Sequence, residues 1–400
     1  MKRPVSLRER LLRLRDRLAS STSLQRAASS VPVVRHVAAW HTSRLFDLCA
    51  GFVYSQVLAA VIELGLLEFL ATKPRSRAAL RRHTGLNDRA LDTLLRAAFA
   101  LRLLAPRDAN DADDADDASD ADDASDVKPA THDCAGVGLG LDGALLLGND
   151  GARRMVVHHA VLYRDLTDIV GLLKAPFPPS TGLRRFWDYH AATSPADAPA
   201  AHQASSYSAL MAGSIGLVAH DVVESLPLRG VTRVIDVGGG VGDFLATLSP
   251  RLPDDATLTL VDLPAVTALA AARHPSLAGR LHTVAADARH APLPGPADLV
   301  TFVRVIHDHD DDDAVAMLRA ARAALGPGGS VVIAEPLAQT AGAERMGDAY
   351  FGLYLYAMGQ GRPRSLEGLT ALAARAGLRV VRELPARRKA LCRVVLLKPT

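Results

Sequence analysis

The sequence predicts an α/β protein in which a doubly wound, mostly parallel sheet follows a helical domain similar to a winged helix. Two patterns indicate this arrangement. From Arg233 onward, short β-branched runs alternate with helical segments, and the first run leads directly into a glycine-rich loop. Earlier in the chain, a helix, a glycine turn and a second helix follow a long apolar helix, an order that resembles a winged-helix unit.

The chain of 400 residues is long enough for two or three domains, and its composition divides it into four regions. These are a basic helical lead-in, a winged-helix-like helical domain, a helical connector and an α/β domain: residues 1–40, 41–150, 151–228 and 229–400. In the second region we predict the helices Leu45–Leu70 (broken near Gly65), Arg77–Thr84 and Asn87–Ala100, and a second wing strand near Gly138–Leu146.

The first 20 residues form a basic segment with helical periodicity. It carries six arginines, and four of its leucines recur at helical spacing: Arg3, Arg8, Arg10, Arg13, Arg15 and Arg17, with Leu7, Leu11, Leu14 and Leu18. This pattern is typical of a helix lying on an anionic membrane surface, but it also fits a solvated helix packed on the protein through its leucines. We expect no membrane-spanning helix, because no run of about 18 apolar residues lacks charges, and no secretory signal, because the segment has no apolar core.

The three cysteines, Cys49, Cys134 and Cys392, are far apart and form no disulfide framework, which fits a reducing cytoplasm. The predicted location is therefore cytoplasmic, with peripheral contact to the inner membrane as an alternative.

Residues 108–126 contain only Asp, Ala and Ser, apart from Asn110. Like-charge repulsion and the lack of apolar bulk predict a disordered insert at the tip of the wing. Calcium binding is the alternative, but the insert lacks the Gly and the terminal Glu of an EF-hand loop. A winged helix can also bind DNA. Here the second helix offers only Arg89 and Arg96 as cations and the acidic insert would repel phosphates, so we expect no nucleic-acid partner.

In the α/β domain the predicted parallel strands are 233–237, 257–261, 281–284, 298–303 and 330–334, with 379–384 and 391–397 closing the sheet as a hairpin-like pair. The first strand continues directly into the loop 236–242, whose sequence is DVGGGVG. Glycines let a backbone turn tightly and approach a ligand closely. Because ligands bind beyond the carboxyl ends of strands in such sheets, we place a cofactor at this loop.

Two cofactor classes compete for a glycine-rich loop. A dinucleotide fingerprint needs a third glycine at position 243, but Asp243 is there, and its carboxylate and that of Asp236 would repel a pyrophosphate. S-adenosylmethionine has no phosphate, and its ammonium and sulfonium groups favour nearby carboxylates. Asp262, after the second strand, can accept both ribose hydroxyls, and Asp287, after the third, can receive the adenine amino group. We therefore predict S-adenosylmethionine as the cofactor.

The ends of the fourth and fifth strands should lie over this cofactor. Methyl transfer to oxygen needs a base for the hydroxyl proton, and a histidine oriented by a carboxylate supplies one. We predict His307 as the base and Glu335 as its orienting partner. His307 and His309 could instead bind a metal, but alternating side chains at a strand end diverge and no other His or Cys cluster is nearby, so we expect none. Asp310–Asp313 should open a helix, where negative charge complements the dipole.

These motifs make the chain similar to the small-molecule O-methyltransferases that join a helical dimerisation domain to a Rossmann-like methyltransferase domain. Within that class it most resembles the carotenoid enzymes of purple bacteria, the hydroxyneurosporene or demethylspheroidene O-methyltransferases. The resemblance covers roughly residues 40–398 apart from the Asp-rich insert. The segments that carry it are 44–48, 51–56, 236–240, 261–264, 303–311, 334–336, 347–351 and 358–365.

The resemblance implies a homodimer, a proton acceptor at His307 and cofactor contacts at the strand ends. The predicted cofactor-binding residues are Asp236, Gly238, Gly240, Asp262, Asp287 and Arg304. Two departures from the family pattern stand out. His309 replaces the usual Trp, so a stacking surface is lost, and Glu367 is out of register with a second glutamate of the plant enzymes, so we leave it out of the site.

The segment Tyr350–Met358 is apolar and aromatic and should cover the pocket of the methyl acceptor. An apolar lining suits a lipophilic alcohol better than a charged metabolite. The predicted acceptor is therefore the hydroxyl of a lipophilic small molecule, and the resemblance implies a hydroxylated carotenoid. Two alternatives stay open: methylation of a phenolic polyketide or another aromatic secondary metabolite, and a non-catalytic winged-helix regulator that senses S-adenosylmethionine.

Overall fold

The computed structural model describes residues 6–24, 26, 32–107, 136–187, 213, 215, 216 and 218–400. The chain divides into two compact units, Met1–Leu147 and Gly148–Thr400. The region predicted as a connector, 151–228, therefore belongs to the same unit as the α/β domain. The insert at 108–126 and Cys134 lie outside the described residues.

The first unit is mostly helical. Its helices are α1 (Leu7–Ser20), α2 (Pro32–Glu63), α3 (Leu66–Phe69), α4 (Arg77–Thr84), α5 (Asp88–Ala100) and α6 (Leu141–Leu147), and its strands are β1 (Leu104–Arg107) and β2 (Gly136–Leu139). The predicted break at Gly65 is present, with a left-handed φ of 64°. The boundary predicted at residue 40 falls inside α2.

The two strands of the first unit pair antiparallel as the predicted wing. The second strand, however, ends at Leu139, and the residues that follow form α6 instead of continuing the strand to residue 146. The amide of Ala144 donates to the carbonyl of Gly140 at 2.9 Å, which closes the first helical turn. The Leu- and Ala-rich composition of this segment favours a helix over a strand.

Helix α2 combines an apolar composition with large exposed side chains. Trp40, Phe46 and Phe52 are 56%, 62% and 68% exposed in the single chain. Over Arg35–Glu63 the helix is long and apolar enough to cross a membrane, whereas we expected no such segment from the sequence. In its 18-residue apolar stretch, 6% of the residues are buried. A helix that another protein surface covers has the same length and composition, so these properties alone assign neither role.

The second unit contains a seven-stranded sheet in the order β5-β4-β3-β6-β7-β9-β8. Its strands are β3 (Arg233–Val237), β4 (Thr257–Asp262), β5 (Leu281–Ala285), β6 (Ala297–Val303), β7 (Leu325–Glu335), β8 (Leu378–Leu384) and β9 (Arg393–Pro399). The first five are parallel, and β9 runs antiparallel to both β7 and β8. The strand order reverses between β3 and β6, the position at which doubly wound sheets bind ligands.

Helices flank the sheet. They are α7 (Asp150–Asp165), α8 (Ile169–Lys174), α9 (Gly182–Trp187), α10 (218–225), α11 (Asp243–Leu248), α12 (Pro264–Arg273), α13 (Asp311–Ala324), α14 (Phe351–Met358) and α15 (Leu366–Arg375). Short turns of 3-10 helix lie at Ser249–Arg251, Pro275–Leu277 and Ile306–Asp308, and a π-helical turn at Arg345–Tyr350 precedes α14. As predicted, the run of aspartates opens a helix, with Asp310 as the N-cap of α13.

Alternation along the strands places the core on both faces of the sheet. Ile235 and Phe302 belong to a buried cluster with α13 and α15, and Val234 and Leu299 belong to a second cluster with α10 and α11. A third cluster, which includes Trp187 and Tyr354, joins α9 to α14. The sheet edge that carries the strand ends is therefore held between packed helical layers.

Candidate active site

A large cavity opens at the carboxyl ends of β3, β4, β5 and β6, where the strand order reverses. It is lined by the six residues predicted to bind the cofactor, Asp236, Gly238, Gly240, Asp262, Asp287 and Arg304. The sheet topology brings them together, because parallel strands end at the same edge. The predicted cofactor set is thus one continuous surface.

Glycines shape the wall of this cavity beside β3. Gly238 and Gly240 have φ values of 67° and 62°, a left-handed conformation that side chains rarely adopt. A Cβ on Gly238 would lie 2.8 Å from a methyl carbon of Val305, and a Cβ on Gly239 would overlap the carboxylate of Asp236. The Cβ position of Gly240, by contrast, faces open space, so this backbone is accessible to a ligand.

Asp236 is fully buried below the glycine loop. Thr301 donates to its Oδ1 at 2.6 Å, while its Oδ2 has no hydrogen-bond partner among the described residues. Burial raises the pKa of Asp236 to about 7. Such a carboxylate is stabilised by a cationic ligand, because added positive charge offsets the cost of its desolvation.

Asp262, at the end of β4, holds the loop in place. The amides of Gly240 and Leu263 donate to its two carboxylate oxygens at 2.8 and 2.7 Å. Each oxygen keeps a second lone pair, so the carboxylate can still accept hydroxyl groups of a ligand. Burial raises its pKa to about 6.

Asp287, after β5, is arranged differently from the prediction. Both of its carboxylate oxygens accept hydrogen bonds from the Arg289 guanidinium. Burial would raise the pKa of Asp287, but the hydrogen bonds and charge of Arg289 outweigh it and hold the pKa below its usual range. Asp287 lies at the cavity, but it is already paired with a cation.

The predicted base lies on a turn and not at the tip of a strand. His307 occupies the 3-10 turn after β6 and is 2% exposed. Glu335, at the end of β7, accepts a hydrogen bond from the backbone amide of His307 at 3.0 Å. Its other oxygen, Oε1, and the Nδ1 atom of His307 have no hydrogen-bond partner among the described residues. Glu335 therefore positions the backbone of His307, whereas the prediction was that it orients the ring.

The carboxylate beside the imidazole belongs to Asp308, which the sequence analysis did not select. Its Oδ1 lies 3.2 Å from Nε2 of His307. Burial raises the pKa of Asp308 to about 8, while burial and the charges of Arg304 and Arg364 hold the pKa of His307 well below its usual range. The imidazole is therefore neutral near pH 7 and can accept a proton.

A second, smaller cavity adjoins the base, and Arg304 and Asp308 line both cavities. Its wall combines the predicted segment with residues from α7 and α9: Met155, Trp187, His307, Tyr350, Phe351, Tyr354 and Leu355. Arg304 lies in the turn between β6 and His307 with a φ of 60°, which bends the chain sharply there. The larger cavity thus meets the smaller one beside His307.

Two histidine–tyrosine pairs back this smaller cavity. The Nε2 atoms of His158 and His159 lie 2.9 and 2.7 Å from the hydroxyls of Tyr354 and Tyr350. The indole of Trp187 also donates to the Tyr354 hydroxyl, at 3.3 Å. Burial lowers the pKa of His158 to about 4 and also lowers that of His159, so both rings are neutral. In the sequence, the two adjacent histidines of α7 were the feature that could have indicated these pairs.

Comparison with known proteins identifies the family. The family model described as O-methyltransferase domain matches residues 163–379, and that of the O-methyltransferase dimerisation domain matches residues 46–118. Demethylspheroidene O-methyltransferase of Cereibacter sphaeroides is 37% identical over 377 residues, which is 94% of this chain and 92% of the relative. This chain belongs to the O-methyltransferase family.

Other relatives are more distant. Acetylserotonin O-methyltransferase of Mus musculus is 30% identical over 83% of this chain and 82% of its own. Among solved structures, mitomycin 7-O-methyltransferase MmcR aligns with a TM-score of 0.69 at 23% identity, covering 92% of this chain and all of its own. At that identity the likeness confirms the predicted fold.

Membership makes the chain an S-adenosylmethionine-dependent O-methyltransferase, and the larger cavity fits that cofactor. A buried carboxylate with an unpaired oxygen, an acid that can accept hydroxyls and an open glycine backbone line one wall. The match to a dimerisation domain supports the predicted homodimer. That match begins within α2, the helix whose apolar side chains are exposed in the single chain.

Proposed function

We propose that this enzyme methylates a hydroxyl group of a lipophilic small molecule and that the acceptor is a hydroxylated carotenoid. One observation carries the proposal. The relatives named demethylspheroidene O-methyltransferase, from Cereibacter sphaeroides and Rhodobacter capsulatus, are 37% and 36% identical over 94% and 90% of this chain. Both alignments extend across the larger cavity, which we call the cofactor cavity, and the smaller one, which we call the acceptor cavity.

The smaller cavity supports an apolar acceptor. Aromatic and aliphatic side chains form most of its wall, and Asp308, beside His307, also lines the larger cavity. The interior volume of the smaller cavity is about 20 Å³, so it can take only a small group. A carotenoid is much longer than this cavity, so we expect only its hydroxylated end to enter.

The residues of this chain would divide the reaction between them. Bound S-adenosylmethionine supplies an electrophilic methyl group, to which the acceptor oxygen forms its new bond while the methyl–sulfur bond breaks and its electron pair stays on sulfur. Neutral His307 takes the hydroxyl proton, and Asp308, which burial keeps protonated near pH 7, lies beside its ring. An aliphatic alcohol is too weak an acid to ionise beforehand, so the proton leaves during or after attack, and alignment supplies most of the acceleration.

Mass spectrometry tests this proposal. The purified enzyme is incubated with methyl-labelled cofactor and, separately, with hydroxylated carotenoids and hydroxylated aromatic compounds. We expect label in a carotenoid ether, and no label when His307→Ala replaces the wild type. A native protein that binds the cofactor but labels no hydroxylated compound would favour the regulator instead.

A phenolic acceptor is the second candidate. The relative named 3-hydroxy-5-methyl-1-naphthoate 3-O-methyltransferase, from Streptomyces sahachiroi, is 31% identical over 73% of this chain. Label in the aromatic compounds and none in the carotenoids would favour the phenolic acceptor over the carotenoid. Both outcomes leave the role of His307 unchanged.

We further propose that α1 binds an anionic membrane surface, where a lipophilic acceptor dissolves. No described residue of α1 is buried, and Leu7, Leu11, Leu14 and Leu18 are 74%, 58%, 53% and 49% exposed. Arginines on the same helix complement acidic headgroups. A cytoplasmic enzyme peripheral to the inner membrane is the corresponding location.

Deletion of residues 1–20 tests this second proposal. We expect binding to phosphatidylglycerol vesicles to weaken, while methylation of a soluble acceptor analogue continues. Vesicles of phosphatidylcholine alone serve as the control for charge. Equal vesicle binding by the full and shortened chains would exclude the helix as a membrane contact.

A further inference from the structure

The loop that follows α14 packs directly against the turn that carries His307. This loop, 359–365, matches the family pattern in the sequence. The amide of Arg362 donates to the carbonyl of His307 at 2.9 Å, and the amide of Gly361 donates to Asp310 at 3.0 Å. A Cβ on Gly361, whose φ is 72°, would overlap the His307 carbonyl oxygen. The approach of the two backbones therefore requires glycine.

Arg364 makes the most extensive contact of this loop. Its guanidinium donates to the carbonyl of Ile306 at 2.8 Å, to the carbonyl of His309 at 2.7 Å and to the carboxylate of Asp311 at 2.8 Å. The two carbonyls belong to residues on either side of His307. The Arg364 side chain is 3% exposed, and its contact with Ile306 is buried.

We propose that Arg364 is a positioning residue for methyl transfer, which fixes the turn 306–309 so that the His307 ring faces the acceptor. A planar guanidinium can satisfy two carbonyls and a carboxylate at once, whereas an ammonium acts as a single point charge. The backbone of the base is then held on two sides, by Glu335 through its amide and by the 359–365 loop through its carbonyl. The inference requires His307 to be the base, which His307→Ala tests separately.

Arg364 also affects the pKa of His307 through its charge. His307 is surrounded by two cations, Arg304 and Arg364, by His309, and by the carboxyls of Asp308 and Glu335. The positive charge of Arg364 disfavours the imidazolium and, with burial and Arg304, lowers the pKa of His307. Removing that charge should raise the pKa, so the protonated, inactive ring would form at a higher pH.

The chain offers a matched control. Arg362 and Arg364 both pair with Asp311, but the Arg362 side chain is 63% exposed. We would measure kcat against pH and the cofactor Kd for Arg364→Met, Arg364→Lys and Arg362→Met. We expect Arg364→Met to lower kcat by roughly 10- to 100-fold, with the cofactor Kd little changed and the acid limb moved to higher pH. Arg362→Met keeps the backbone amide that donates to His307 and loses only an exposed side chain, so its kcat should resemble that of the wild type.

Arg364→Lys separates geometry from charge and covers the case in which Arg364→Met does not fold. It should lower kcat by roughly threefold to tenfold, because an ammonium cannot reach all three oxygens, while the acid limb stays near its wild-type pH. Wild-type kcat in either Arg364 variant would overturn the proposal. A loss in Arg362→Met as large as in Arg364→Met would also overturn it, because the effect would then come from Asp311 alone.

Discussion

The two cavities of the catalytic unit are built in different ways. The cofactor cavity lies at the ends of four parallel strands, β3 to β6, and its wall combines buried carboxylates with an open glycine backbone. The acceptor cavity joins residues that are far apart in the chain, such as His158 and Tyr354, which are 196 positions apart. The interior volume of the first is about 110 Å³ and that of the second about 20 Å³. Cofactor binding and acceptor choice should therefore respond to different mutations.

His307 lies between the cavities, so its loss should affect the reaction more than either binding step. We expect His307→Ala to lower kcat by roughly 100- to 10,000-fold, the range for removal of a general base. The cofactor Kd, measured by titration calorimetry, should stay close to the wild-type value. His282→Ala, on the exposed side of β5, is the control histidine. Full activity of His307→Ala would mean that another group takes the proton.

Asp262→Asn tests the cofactor cavity alone. The variant removes the charge of a buried carboxylate that accepts two amide hydrogen bonds, and one of those bonds would face an amide NH₂ group instead. We expect the cofactor Kd to rise by roughly 10- to 100-fold, as for a lost hydrogen bond to a charged group. The KM of the acceptor at saturating cofactor should change little.

The matched control for Asp262→Asn is Asp255→Asn, at an exposed loop position before β4. An equal rise in cofactor Kd for both variants would point to a general effect of net charge. A rise in acceptor KM as large as that in cofactor Kd would contradict the separation of the two cavities.

The same difference explains what the sequence could and could not predict. The strands, their parallel order and the acids Asp236 and Asp262 followed from local patterns, because each acid directly ends or follows a β-branched run. Glu335 lies near His307, as predicted. Its contact with the backbone amide of His307 was not predicted, because the end of a strand does not determine which atoms of a neighbouring turn it contacts. Asp308 is adjacent to the predicted base in the sequence, but it was not predicted as a site residue.

The acceptor cavity was predicted only in part. The aromatic segment before Met358 was a pattern within one stretch of sequence, and it lines the cavity. Its partners His158, His159 and Trp187 lie on helices that only tertiary packing brings there. The wing strand was also misplaced, because a glycine-rich stretch beside leucines fits a strand or a helix equally until its contacts are known.

Tyr350→Phe tests the acceptor cavity. The variant keeps the ring and removes the hydroxyl that pairs with His159. We expect kcat/KM for the acceptor to fall by roughly threefold to tenfold, the value of one hydrogen bond of about 1 kcal/mol, with the cofactor Kd unchanged. Tyr356→Phe is the control, since its ring packs against Phe177. Equal kinetics in the two variants would leave the Tyr350 hydroxyl without a part in acceptor binding.

The smallest expected effect concerns pH. A histidine of ordinary pKa, about 6.5, would lose half of its neutral form at that pH. Burial and the charges of Arg304 and Arg364 hold the pKa of His307 well below that value, so its neutral form persists as the pH falls to 6.5 and is lost only further into acid. We therefore expect kcat at saturating substrates to change little between pH 7.5 and 6.5, by less than about twofold.

A half-loss of kcat near pH 6.5 in the wild type would leave two explanations, an exposed His307 in the working enzyme or titration of a neighbouring carboxyl. Asp308→Asn separates them, because it removes the carboxyl whose pKa burial raises to about 8. If the acid limb of kcat persists in Asp308→Asn and moves to higher pH in Arg364→Met, it belongs to His307. The His307 ring is then more accessible to water than its 2% exposure indicates.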